Sequence, residues 1–174
     1  MIFRFGRIIK GAILSLFNEI VPLIIANIVR GKFMPKILNA CHMEEKCIDA
    51  LRLLISQYGI KTVLEFGGGY STKFFSELVD KVYTVEHNPK WVFSVDNGVV
   101  LITNDPDEYS NGFRNIEMDL ILIDGKYRAE CFASVLTRSW KILAIHDYNR
   151  DAHFYQDLSY EMIRHGSLAV YIRN

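Results

Sequence analysis

The sequence predicts a doubly wound α/β domain with a mostly parallel sheet over residues 41–174, preceded by an N-terminal helical arm over residues 1–40. Three observations carry that expectation. From Lys61 onward, short apolar runs alternate with segments of helical period, a pattern that calls for crossover connections and a sheet covered on both faces. Two of the runs, "DLILIDG" and "KILAIHDY", are almost continuously apolar, as strands buried on both faces are. Three of the eleven glycines stand together at Gly67, Gly68 and Gly69, directly after the first run.

Taken in order, "EEKCIDALRLLISQYGI" places Ile48, Leu51, Leu54 and Ile55 at helical spacing and is expected to cover one face of the sheet. "KTVLEFG" reads as a strand, "STKFFSELVD" as a helix, "KVYTVEHN" as a strand, and "PKWVFSVDN" as a short helix opened by Pro89. "GVVLITND" is a third strand. The segment "PDEYSNGFRNIEM" is rich in Pro, Asn, Asp and Gly and reads as a loop too short for a full crossover helix. "DLILIDG" is a strand, "YRAECFASVLTRSW" a helix and "KILAIHDY" a strand. "AHFYQDLSYEMIRHG" reads as a helix stopped by Gly166, and "SLAVYIRN" as a sixth and last strand, leaving a fold truncated before its seventh.

Composition narrows the class. With 174 residues, 50% of them hydrophobic and 23% charged, the chain can bury one core and carries no disordered bulk. The net charge is zero but unevenly spread. Residues 1–36 hold Arg4, Arg7, Lys10, Arg30, Lys32 and Lys36 against Glu19 alone, a local +5, so the remainder carries −5. An acidic body argues against nucleic-acid binding, which needs clustered cations to neutralise phosphates. Cys41, Cys47 and Cys131 form no C-x-x-C pair and no zinc spacing, and are expected to be reduced thiols in a cytoplasmic protein.

The arm places Arg4, Arg7, Gly11, Ser15, Asn18 and Pro22 on one helical side, with Phe5, Ile8, Ile9, Ile13, Leu16, Phe17 and Ile20 on the other. Asn18, Glu19, Pro22 and Asn27 interrupt what would otherwise approach the roughly 20 apolar residues of a membrane span. No small-residue cleavage site follows, so a signal peptide is poorly supported. Two readings stay open. Residues 1–35 pack on their own domain or on a second subunit of a homo-oligomer, or they lie peripherally at the inner face of a membrane with their cations toward anionic head groups.

Glycines at the tip of a buried strand permit a tight turn, and they leave room for a ligand against the backbone. The following helix presents unpaired N–H groups, with Ser71 or Thr72 placed to cap it. In open α/β sheets this crevice is where ligands bind. A dinucleotide site would want G-x-G-x-x-G, and Tyr70-Ser71-Thr72 does not supply the last glycine, which disfavours an NAD-dependent oxidoreductase. Glu65 instead precedes the glycines, and Glu86 ends the next strand 21 residues on, where an acid can accept hydrogen bonds from both ribose hydroxyls.

Here "VLEFGGGYST" resembles the first motif of the class I S-adenosylmethionine-dependent methyltransferases, and "VYTVEHN" resembles their ribose-binding strand. The likeness covers roughly residues 60–150. It implies a Rossmann-like fold and an S-adenosylmethionine site built from Glu65, Gly67, Gly68, Gly69, Tyr70, Ser71, Thr72, Glu86, His87, Asp105 and Asp124. In that implied site Gly67 and Gly69 face the amino-acid portion and Glu65 holds the ammonium directly or through water. Glu86 takes the ribose hydroxyls, His87 borders the adenine, and Asp105 lies near its amino group.

"IDG" and the later "HD" end two central strands, so Asp124, His146 and Asp147 are expected over the same sheet edge. This pairing resembles a branch of that family acting on small molecules and sugars. The resemblance implies catalytic roles for all three residues and a divalent metal, Mg2+ or Ca2+, on Asp124 and Asp147. Methyl transfer to an alcohol needs that oxygen deprotonated, which a histidine or a bound cation can achieve. Arg128, Tyr148 and Arg150 are placed to meet a sugar or acidic substrate.

The resemblance has departures. Ser139-Trp140-Lys141 stands where the family usually has a Gly-Gly turn, and with a seventh strand missing, the arm or a neighbouring subunit is expected to close the site. The leading expectation is O-methylation of a small hydroxylated substrate such as a sugar or glycan. The alternative is a non-catalytic protein of the same fold, attached to a membrane or partner through residues 1–35.

Overall fold

The computed structural model describes residues 43–155 and 160–173; the arm and its expected contacts lie outside the described residues. The element order is α1 (Glu45–Tyr58), β1 (Thr62–Phe66), α2 (Tyr70–Ser76), β2 (Lys81–Glu86), β3 (Gly98–Ile102), α3 (Pro106–Asn111), β4 (Leu120–Ile123), α4 (Arg128–Leu136), β5 (Ile142–Ile145), β6 (Met162–His165) and β7 (Leu168–Ile172). The apolar runs became the central strands: every residue of β4 and β5 is buried. α1 turns Cys47, Ile48, Ala50, Leu51, Leu54 and Ile55 inward, the stripe its spacing predicts.

The sheet runs β3-β2-β1-β4-β5-β7-β6. All neighbouring pairs from β3 to β5 are parallel, and β7 is antiparallel to both β5 and β6. Strand order reverses between β1 and β4, so crossovers leave the sheet in opposite directions there and open a crevice at the strand tips. Backbone bonds carry the parallel ladder just beyond the strands. Gly67 N–H donates to Val85 C=O at 2.9 Å, Asp124 N–H to Phe66 C=O at 2.9 Å, His146 N–H to Ile123 C=O at 3.1 Å and Thr103 N–H to Glu86 C=O at 3.0 Å. The loops after β1, β2, β4 and β5 therefore start level with one another.

The structure corrects three expectations. The seventh strand is present: "MIRH" is not the end of a helix but an edge strand, joined to β7 through Gly166 and Ser167. Gly166 sits at φ +62°, a conformation glycine adopts without steric cost, and the two-residue Gly-Ser loop is itself a hairpin signal. Within the expected helix, the described residues hold only a 3-10 turn over Ala152–Phe154. The presumed loop after Asp105 contains α3. Asp105 accepts from Glu108 N–H at 2.8 Å and Pro106 opens the first turn, so "DPDE" is a helix start. After β2, "PKW" forms a 3-10 turn rather than a longer helix.

Cys47 and Cys131 are buried free thiols, while Cys41 lies outside the described residues. Cys47 Sγ donates to His165 C=O at 3.2 Å, linking α1 to the hairpin, and burial pushes the Cys131 thiol up to about 12. No helix of the described residues is long and apolar enough to cross a membrane.

Candidate active site

A cavity of about 410 Å3 opens at the switch point, lined by the glycine loop and Tyr70, by Glu86 and His87, by Trp91, and by Asp124, Gly125 and Lys126. Met43, Ser71 and Arg150 complete its wall.

The glycines have a packing reason of their own. A Cβ on Gly67 would stand 2.6 Å from Gly125 Cα and 2.7 Å from its nitrogen, so two backbone loops touch here with no space between them. Gly67 also holds φ +104°, where side chains are strained. Gly125 is bounded by Gly67 on one side and, on the other, by the hydroxyl of buried Tyr109, 2.2 Å from where its Cβ would be. Gly125 was not foreseen, although a glycine directly after a strand-end acid carries the same signal as the first three.

Glu65 does not line the cavity, which corrects the expectation of direct contact with a ligand ammonium. Its carboxylate is fully buried beneath the loop and accepts from Ser71 Oγ at 2.7 Å, Thr84 Oγ1 at 2.8 Å and Thr72 Oγ1. Thr72 Oγ1 in turn accepts from Gly69 N–H at 3.2 Å. Ser71 and Thr72 therefore lie inside α2, with Gly69 as its cap, and tie the helix start to the acid below. Burial raises the Glu65 pKa to about 7, outweighing the three hydroxyl donors that favour the anion; the charge of Asp124 adds to the rise.

An acid whose pKa rises on folding binds its proton more tightly in the folded state. Its contribution to stability is fully present below the ordinary value of 4.5 and is lost as pH rises through about 7. The span corresponds to about 3 kcal/mol. Glu65→Gln is expected to flatten the pH dependence of denaturant midpoints across that window. An unchanged slope would remove Glu65 as its source.

Glu86 ends β2 at the cavity wall, 3% exposed. Its Oε1 accepts from the backbone N–H groups of His87 at 2.9 Å and Asn88 at 2.7 Å, and its Oε2 accepts from Gly68 N–H at 2.7 Å. The acid thus joins the glycine loop to the loop after β2. Each carboxylate oxygen can accept two donors, so Oε2 keeps acceptor capacity. His87 lies beside it, with Nδ1 2.8 Å from Oε1. Asp105 is placed elsewhere: its carboxylate caps α3 and is not part of the cavity wall.

Asp124, His146 and Asp147 do come together. One ligand atom from each lies within 4.8 Å of the others. Asp124 reaches the cavity, whereas His146 is buried behind it and Asp147 stands outside the wall. Asp124 Oδ1 receives His146 Nδ1 at 2.9 Å and Arg128 Nη2 at 3.1 Å, while Oδ2 has no partner among the described residues. Arg128 is nearly buried and also donates to the carbonyls of Gly125 at 3.1 Å and His146 at 2.5 Å. It staples the β4 and β5 loops together rather than facing a substrate. His146 Nε2 lies 3.9 Å from Asp147 Oδ1. Burial opposes a charge on His146, but the hydrogen bond and charge of Asp124, helped by Asp147, outweigh it and raise its pKa above the ordinary histidine value.

No family model matches the chain, and no curated protein matches it. Solved structures do. A Staphylococcus aureus protein assigned as a caffeoyl-CoA O-methyltransferase aligns with a TM-score of 0.61 at 15% identity, over 96% of this chain and 100% of that one. A methyltransferase from Geobacter sulfurreducens aligns at 0.58 with 12% identity, over 99% and 97%. A Streptococcus mutans protein assigned as a methyltransferase, solved with S-adenosylhomocysteine, aligns at 0.56 with 13% identity, over 75% and 99%. The fold is that of the class I S-adenosylmethionine-dependent methyltransferases. In this methyltransferase fold the order β3-β2-β1-β4-β5-β7-β6 puts the glycine loop and Asp124 on neighbouring tips, which is why one cavity serves both.

Proposed function

We propose that the protein is an S-adenosylmethionine-dependent O-methyltransferase acting on a small hydroxylated substrate, with sugars and glycans the expected class. The observation that carries this reading is Asp124. It lines the same cavity as the glycine loop and Glu86, with one carboxylate oxygen held by two donors and the other unpartnered among the described residues.

The residues present fit the cofactor. A cavity of about 410 Å3 lies within the roughly 300–1,000 Å3 range of small-molecule sites. Its glycine wall offers backbone instead of side chains, and Glu86 supplies an acceptor suited to ribose hydroxyls. The S. mutans neighbour, solved with S-adenosylhomocysteine, supports the same assignment.

S-adenosylmethionine, when bound, supplies a methyl carbon whose bond to sulfur breaks onto sulfur as the acceptor oxygen's lone pair forms the new C–O bond. The chain's own residues must then hold the acceptor hydroxyl in line and take its proton. In this reading Asp124 accepts the hydrogen bond of that hydroxyl through Oδ2. His146 and Arg128 fix the carboxylate through Oδ1, and the Asp124–His146 pair is the base that receives the proton. Asp124, His146 and Asp147 also form a donor set for a divalent cation, which would lower the hydroxyl pKa.

Base chemistry requires the uncharged imidazole. The rate of methyl transfer is therefore expected to rise with pH through an apparent pKa above that of an ordinary histidine. Asp147→Asn, which removes one of the two negative charges acting on His146, is expected to move that midpoint down. The His146 ring resonances, followed by NMR titration, report it directly, and an unshifted midpoint would exclude the charge of Asp147 as a cause.

The deciding test is calorimetric titration of S-adenosylhomocysteine into the protein and into Glu86→Ala. Micromolar binding that weakens at least tenfold in the variant is the expected result. A folded wild type that binds no S-adenosylhomocysteine would overturn the enzyme reading.

A further inference from the structure

We infer that Lys126 and Arg150 form an anion-binding subsite in this cavity, and that the methyl acceptor is a hydroxylated molecule carrying a phosphate group. The inference rests on the methyl-transfer reading and names its substrate class.

Both cations line the cavity, from the loops that follow β4 and β5. Each comes shortly after a residue of the polar cluster: Lys126 two positions after Asp124, Arg150 three after Asp147. Lys126 is exposed, and its ammonium lies 4.7 Å from the centre of the Tyr127 ring with no carboxylate partner among the described residues. The loop that carries it is held on both sides. Gly125 packs against Gly67, and the Tyr127 hydroxyl donates to Asn104 C=O at 2.7 Å. A lysine on so constrained a backbone loses less freedom on binding than one on a free loop.

Arg150 is anchored differently. Its Nε donates to Asp151 Oδ2 at 3.2 Å, and its side chain remains 63% exposed, leaving the rest of the guanidinium fork available. The same Asp151 oxygen lies 3.8 Å from Arg128 Nε, and Arg128 holds Asp124. A chain of charges thus links Arg150 to the carboxylate proposed to meet the hydroxyl.

Electrostatics indicate what the pair receives. The cavity wall carries two carboxylates, Glu86 and Asp124, which suit hydroxyls and a cationic sulfonium, and two cations, which do not. Glu86, Asp124 and Asp147 would repel an anion, and Lys126 and Arg150 are the groups that give one a place. An ammonium point charge and a guanidinium fork lining one cavity suit a phosphate, which carries close to two charges near neutrality.

The test titrates inorganic phosphate, then pyrophosphate, into the full-length protein with and without saturating S-adenosylhomocysteine, by calorimetry. Wild type is expected to bind both anions. Lys126→Ala and Arg150→Ala should each weaken binding about tenfold or more, with affinity falling as salt rises. Both variants should keep S-adenosylhomocysteine affinity within about twofold of wild type. Absent anion binding, or equal binding in the variants, overturns the subsite. A loss of S-adenosylhomocysteine affinity in the variants also overturns it, because the two cations would then be holding the cofactor's own carboxylate. Vesicles of phosphatidylglycerol form a second arm. Binding sensitive to the same two substitutions would place the phosphate on a lipid, and insensitivity would place it on a soluble molecule. If wild type binds anions but no S-adenosylhomocysteine, the subsite stands and the methyl-transfer reading falls.

Discussion

Asp124→Asn is expected to slow methyl transfer by about 10²–10⁴-fold, the usual contribution of a positioned acid–base group. That span corresponds to about 3–5 kcal/mol of barrier. Asparagine keeps the shape and can still accept from Arg128 and His146, so the loops after β4 and β5 should stay joined. What disappears is the negative charge proposed to accept the hydroxyl proton and support the imidazolium. The His146 pKa should fall in the same variant, because the hydrogen bond and charge that raise it come chiefly from Asp124. The rate is to be measured with an acceptor the wild type turns over, alongside S-adenosylhomocysteine affinity and the His146 NMR titration. A variant that turns over at the wild-type rate would remove Asp124 from the chemistry, and a defect confined to S-adenosylhomocysteine binding would make it a cofactor residue alone.

Gly67→Ala is expected to destabilise the domain by about 2–5 kcal/mol, combining overpacking with strain at positive φ. The added methyl would meet Gly125 backbone at 2.6 Å, and backbone at the tip of a buried strand cannot rotate aside as a side chain can. Relief would have to come from parting the β1 and β4 loops, which also moves Asp124 away from the glycine cradle. Loss of S-adenosylhomocysteine affinity should therefore accompany loss of stability. Gly68→Ala is the informative comparison. Its Cβ would stand 2.9 Å from the Thr84 methyl, a side-chain atom, and its φ lies outside the left-handed region, so the cost should be smaller. Denaturant unfolding of both variants checks the ordering. Equal effects would mean that the Gly67–Gly125 contact is not what sets the requirement.

Much of this architecture was legible in the residues because it depends on local patterns. "TVLEFGGG" announces a buried strand running into a turn, and "VEHN" places an acid at the next strand tip. The hairpin escaped notice because "SYEMIRH" also scans as a helix end, and only pairing with β7 decides between the two. The Asp124–His146 contact was anticipated as a neighbourhood. Its internal order, with Asp124 in front and His146 behind, was not, because both residues simply end apolar strands.

The sequence by itself determined which residues stand at strand tips, since strand composition, glycine runs and the acids beside them are encoded locally. Tertiary structure alone decided which of those residues face the cavity. Glu65 is turned under the loop by three hydroxyls, and Asp105 is taken up by a helix start. Gly125 and Lys126 enter the wall because β4 lies next to β1 in the sheet. Sheet order juxtaposes segments about 57 residues apart, such as Phe66 and Ile123, and contact across such a distance is not written in the local pattern of either segment.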